Sequence, residues 1–235
     1  IMKPGQALEL TNFEPDIEGG YRRINGFEPF VGFVVPQTSA STEAVLMTTV
    51  FNNFVLGARG TSIYRSASSI LKTNIASSET MSGSGVIIVS STTSFSASGT
   101  LIIGAEQFTY TGISTNTFTG VTRATSSTTA AIHKTNVVVS ESWTSIDSGR
   151  TSAKKYNFEK FNFDGNDKLI LVDQANAPTV FNTSLGATDV STSSVAGAKH
   201  VVVFKNHMFY SGMSSTPQEV VFSEPFDEDG FDAGD

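Results

Sequence analysis

The chain has 235 residues, a net charge of −7, 39% hydrophobic and 16% charged residues, and no cysteine. This composition excludes a disulfide scaffold and thiolate chemistry. It also argues against a general phosphate-gripping surface, which needs clustered Lys and Arg, and no run of 18 apolar residues reads as a membrane-spanning helix.

Low charge with abundant Thr, Val, Phe and Gly suits β-structure, and no long stretch places apolar residues at i, i+3, i+4 and i+7. The start, "IMKPGQALEL", lacks a charged segment followed by an apolar one, so no signal peptide is read. Ile1 before Met2, and an end at "FDEDGFDAGD", read as a segment of a polypeptide that continues beyond residue 235.

In chain order, the arm over residues 4–30 carries Gly19-Gly20, the adjacent Arg22 and Arg23, and Asn25-Gly26, a type I′ turn signal. "VFNNFVLGARGTSIYRS" (50–66) reads as a strand, a turn and a second strand. A Ser-rich linker follows. Five short strands are expected next, at Val86–Val89, Thr100–Ile103, Gln107–Tyr110, Thr117–Val121 and Asn136–Val139, with a hairpin turn near Gly104–Glu106. Beyond them, "FDGNDKLILVDQANAPTVF" (163–181) lines up with "FKNHMFYSGMSSTPQEVVF" (204–222): Phe, a turn, an apolar strand, a polar loop, Pro and an apolar end. The 50–66 stretch is a weaker third copy without the Pro. A period of roughly 40–45 residues with several short strands is that of a β-propeller blade. Near-continuous apolar runs such as "LILV" fit strands covered on both faces.

The expected organisation is therefore all-β, with partial propeller-like blades and an inserted small all-β module. Residues 1–84 hold the arm and first blade region, 85–140 the inserted module, and 141–235 further blades.

Candidate chemical sites are weak. In Asp164–Asp167 ("DGND") the Gly falls at position 2 and Ala175 stands where an EF-hand needs Glu. The later copy has "KNH" there, so the stretch reads as a hairpin turn. "DEDGFDAGD" (227–235) is acidic, but Gly230 again falls too early, and a solvated loop is the default reading. "SIDSGRTS" (145–152) resembles the Asp-box turn of sialidase-type propellers at Ser145, Asp147, Gly149 and Thr151, with Ser152 where Trp is expected. That motif is structural, and no paired carboxylates accompany it. His133, His200 and His207 are scattered, without ligand spacing. The reading names no catalytic residue, no metal and no cofactor. Arg22 and Arg23 stand as interface candidates, because a guanidinium fork pairs well with carboxylates. Phe108, Tyr110 and Phe118 stand as a second interface or sugar-stacking set.

Several of these segments are similar to one family. "ALELTNFEPDIEGGYRRINGFEPF" (7–30) resembles the opening arm of tail nozzle (tail tubular B-type) and head-completion proteins of short-tailed bacteriophages. "FKNHMFYSGMSSTPQEVVFSEPFD" (204–227) resembles their blade ending, with Pro217, Ser223, Glu224 and Pro225 in the matching places. "SGTLIIGAEQFTYTGISTNTFTGVTR" (98–123) resembles a small β-module of phage virion proteins. The resemblance spans 1–65 and 142–235, with 85–140 as an appended module. It implies a virion (phage tail) location and a homohexameric ring around the DNA ejection channel. It further implies contacts with a tail adaptor protein, tail fibre proteins and the host surface, and genomic DNA passing through the lumen without sequence-specific binding. An acidic lumen suits that passage, since it does not trap phosphates. The alternative is a receptor- or carbohydrate-binding tail fibre or adhesin domain, and a propeller hydrolase is a third reading.

Overall fold

The computed structural model describes the backbone of residues 13–15 and 21–23, residue Pro36, and residues 43–231. The chain divides into two compact units, residues 1–30 and 31–235. In the first, β1 (Phe13–Pro15) pairs antiparallel with β2 (Tyr21–Arg23) in register Glu14 to Arg22. The Asn25-Gly26 turn expected from the sequence lies outside the described residues.

The second unit is all-β, as the composition implies. Its strands are β3 (Val45–Phe51), β4 (Phe54–Arg59), β5 (Ser62–Ile70), β6 (Ser82–Ile88), β7 (Gly99–Ile103), β8 (Glu106–Tyr110), β9 (Gly112–Ser114), β10 (Thr117–Arg123) and β11 (Val138–Glu141). They continue as β12 (Thr144–Ser148), β13 (Asn157–Phe163), β14 (Asn166–Val172), β15 (Thr179–Phe181), β16 (Ala187–Asp189), β17 (His200–Phe204), β18 (His207–Ser211) and β19 (Val220–Phe222). The strands form three sheets, none of them closed. Among the described residues no helix is long and apolar enough to cross a membrane.

Three hairpins repeat one device. Phe51-Asn52-Asn53-Phe54, Phe163-Asp164-Gly165-Asn166 and Phe204-Lys205-Asn206-His207 each close a two-residue turn between paired outer residues. Both central residues have positive φ in every case: 45° and 66°, 60° and 76°, 49° and 66°. That is the type I′ turn, whose twist matches antiparallel strands and favours Asn and Gly. Asp164 thus turns the chain, as the sequence suggests. The structural equivalent of Asn166 is His207.

Each turn opens an antiparallel meander. The first is β3-β4-β5 with β12 on the far edge of β5. The second is β13-β14-β15-β16, and the third β17-β18-β19. Their faces are shared. In β14, Leu169 and Leu171 join Met47, Phe51, Leu56 and Ile63 of the first meander, together with Phe181. Ile170 and Val172, on the other face, join Phe161, Phe163, Val201, Met208 and Tyr210. The middle sheet is therefore apolar on both sides, and "LILV" reads as a continuous apolar run because each face has its own neighbour.

The inserted strands leave and rejoin the first meander at one place. β5 is nine residues long and belongs to both halves of one ten-stranded sheet. Its first half pairs with β12, and its end pairs with β11, Ser68 opposite Ser140 and Ile70 opposite Val138. The excursion from Leu71 to Val137 thus replaces an ordinary hairpin connection. Within it the order runs β11-β7-β8-β10-β6, with β9 also on β10. The Ile103 to Glu106 pairing puts the β7–β8 turn at Gly104-Ala105, where the sequence suggests it. The far edge, β6, is tied back to β5 and its extension by the Leu71–Val89 bridge and by bonds from Lys72 N–H to Ile88 O and Ser90 N–H to Ile70 O. This barrel-like wrap encloses a core of its own: Leu71, Ile87, Leu101, Ile103, Phe108, Tyr110, Phe118 and Val139.

Candidate functional site

The most concentrated polar chemistry lies inside the inserted strands. Glu106 opens β8, and its side chain is fully buried. Arg123, at the end of β10, meets it through both Nε and Nη2, at 2.9 and 2.8 Å. His133 Nε2 lies 2.8 Å from the same carboxylate, and the backbone N–H groups of Ala124 and Ala131 donate to it. Arg123 also donates to the carbonyls of Ala76, Glu79 and Ala131. Burial raises the pKa of Glu106, but the hydrogen bonds from Arg123, Ala131 and His133 outweigh it and hold the carboxyl below its ordinary 4.5. The pairing with Glu106 likewise raises the pKa of Arg123. Both carboxylate oxygens are engaged, so the cluster is built to hold segments 76–79 and 124–133 together. It presents no free base to a substrate.

Two further cations join the inserted strands to the meanders and the meanders to each other. Arg65 on β5 donates to Glu141 at 3.0 Å and to Ser96 at 2.7 Å, and lies 5.0 Å over the Phe54 ring. Ser96 in turn donates its N–H to Glu141 and accepts from the Tyr110 hydroxyl at 2.9 Å. Arg150 follows β12 and is buried. It pairs with Asp147, donates to Thr179 of β15, and lies 3.9 Å from Asp173. The "SIDSGRTS" segment therefore pins the first meander to the second: Asp147 is held by Arg150, while Ser145 to Ser148 form strand rather than a free turn. Nearby Tyr156 has a buried hydroxyl without a hydrogen-bond partner, and burial pushes its pKa up to about 12.

The outer face of the third meander is of another kind. Register places His200, Val202 and Phe204 of β17 beside Ser211, Phe209 and His207 of β18, and Phe209 beside Phe222 of β19. Val202, Phe204, Val220 and Phe222 are all exposed there. The rings of Phe209 and Phe222 stand 5.6 Å apart, and a shallow depression of about 370 Å³ lies over His200, Val202, Phe204, Phe209 and Val220. The face carries no carboxylate among its strand residues, and the Lys205 ammonium lies 5.5 Å from the centre of the Phe204 ring at its turn end.

The residues singled out from the sequence fall differently. Phe108, Tyr110 and Phe118 are 0%, 2% and 0% exposed, and Phe118 packs edge-on against Tyr110 at 4.8 Å. They are the core of the inserted strands and offer no surface platform. Alternation along β8 and β10 points all three inward, a direction that composition alone does not give. Arg22 and Arg23 lie on β2, where only the backbone is described. Asp164 is the first central residue of the hairpin turn, and Asp167, on β14 just beyond it, accepts from Asn162. His207 binds the carbonyl of Ser223, and His200 sits at the other end of the β17–β18 hairpin. Among the described residues no group of three or more His, Asp or Glu could hold a metal ion. Sequence reasoning missed the Glu106–Arg123–His133 cluster, whose members are 17 and 10 residues apart along the chain. The usable signal was an acid beginning one inward-alternating strand and a base ending another.

No protein-family model, no curated protein and no solved structure matches this chain.

Proposed function

We propose that this chain is a virion structural protein of a phage tail nozzle or hub, part of a ring around the DNA ejection channel that joins a tail adaptor to tail fibres. The observation that carries the reading is the stack of three antiparallel meanders. Each opens with a Phe and a type I′ turn, and the middle one is covered on both faces. Consecutive propeller blades have this arrangement, and a propeller is what the resemblance of the arm and of residues 204–227 implies. The work of such a protein is mechanical. The buried ion pairs lock segments together, while a net charge of −7 disfavours trapping of DNA phosphates. The inserted strands, with a core of their own, decorate the ring and face fibres or the host surface.

The sugar platform expected of a glycan-binding adhesin in the inserted strands is not formed, because Phe108, Tyr110 and Phe118 are spent on the core. A hydrolase would need a free carboxylate pair, and Asp147 is engaged by Arg150. Electron microscopy of the native assembly tests the reading. A sixfold ring with an axial pore is expected. A monomer without a pore, or a trimeric fibre that retains glycans, would overturn it.

A further inference from the structure

We infer that the outer face of the third meander is the docking surface for a fourth antiparallel sheet of the same polypeptide, seated as the third sits on the second. The inference rests on the stacking of the sheets and not on the virion reading. Position by position, this face repeats the face of the second meander that the third covers. From the hairpin turns outward, Phe204 stands where Phe163 stands, Val202 where Phe161 stands, Ser211 where Ile170 stands and Val220 where Val180 stands. Phe51 is the same position one sheet earlier. It is 5% exposed, Phe163 is 2% exposed, and Phe204 is 59% exposed. The first two are buried because a following sheet lies over them. The third has the same residue on the same turn with no sheet over it among the described residues, only the Lys205 ammonium beside its ring.

The chemistry of the occupant follows from what covers the earlier faces. Leu169, Leu171 and Phe181 cover the first, and Val201, Met208 and Tyr210 cover the second. A β-face of large apolar side chains is therefore required. Size decides its source. Phe side chains bury ~150–250 Å² each, so the exposed parts of this patch amount to roughly 400 Å². That is about half of the ~800 Å² per partner that a standard protein interface buries. A patch of that size is weak between free molecules but adequate for a tethered sheet, whose effective concentration is in the ~mM range.

The test compares residues 1–235 with the polypeptide extended through the next ~45 codons of its reading frame, one repeat period. The 1–235 chain is expected to bind anilinonaphthalene sulfonate, and Phe204→Lys should leave its sedimentation unchanged. The extended chain should lose most of that dye signal without any substitution. Phe204→Lys should shift the melting temperature of 1–235 by less than ~2 °C and lower that of the extended chain by about 10 °C, with Val202→Thr as a milder version of the same contrast. A 1–235 dimer dissociated by Phe204→Lys would overturn the inference in favour of a second copy. Undiminished dye binding in the extended chain, or a reading frame that stops at Asp235, would overturn it outright.

Discussion

The inserted strands and the stacked meanders solve the same problem, burying one face of a β-sheet, in opposite ways. The inserted sheet wraps until β6 meets the end of β5, so its core residues face each other, and only Ala67 and Phe54 of the first meander join them. The meanders stay open and share their apolar faces with neighbouring sheets, so their stability is a property of neighbours. The first device makes a self-contained module with a buried ionic lock. The second makes an array that must be ended or continued, and it shows this at Phe204.

The largest effect that separates the two regions comes from the lock. Glu106→Gln leaves the Arg123 guanidinium buried without its counter-charge, and breaking a buried pair in this way costs about 3–5 kcal/mol. Calorimetry should show the loss. The stack is sharpened by one pair of substitutions at equivalent positions. Phe163→Ala should cost about 3–5 kcal/mol as a core truncation, while Phe204→Ala in the 1–235 chain should stay within ~0.5 kcal/mol. Urea unfolding of both variants checks this, and equal costs would break the equivalence.

Acid should act on the module first. The folded-state pKa of Glu106 lies below its ordinary 4.5. A depressed carboxylate contributes fully above its unfolded value, and the contribution is lost as pH falls through the folded value. Stability should therefore be flat with respect to Glu106 above about pH 4.5 and fall below it, and Glu106→Gln should flatten that part of the pH profile. The smallest effect is at the third turn. Asn206 has φ of 66°, and Asn206→Gly relieves the left-handed conformation, which should raise stability by about 0.5 kcal/mol. A loss instead would mean that the Asn side chain does more than permit the turn.

Much of the stack was legible in the sequence because its signals are local. Asn-Asn, Asp-Gly and Lys-Asn between apolar strands mark the hairpins, and "LILV" announces a strand covered twice. Five of the six inserted strands were also legible, from Gly and Ser/Thr turns between β-branched runs, and only the short β9 was missed. The direction of Phe108, Tyr110 and Phe118 was not, because a surface stripe and a barrel interior use the same alternation and differ only in how the sheet curls. Nor was the Glu106–Arg123–His133 cluster, which exists only once β8 and β10 lie side by side. Arg150 reads in the sequence as part of a polar turn. Its role as the pin between two meanders appears only when Thr179 and Asp173 come within reach.

The separation of the two regions is tested most directly by amide hydrogen exchange on the wild-type chain and on Glu106→Gln at neutral pH. The account predicts faster exchange in the variant across residues 71–141, and unchanged exchange in β13 to β19. Uniform acceleration through both regions, or protection unchanged in the inserted strands, would contradict it.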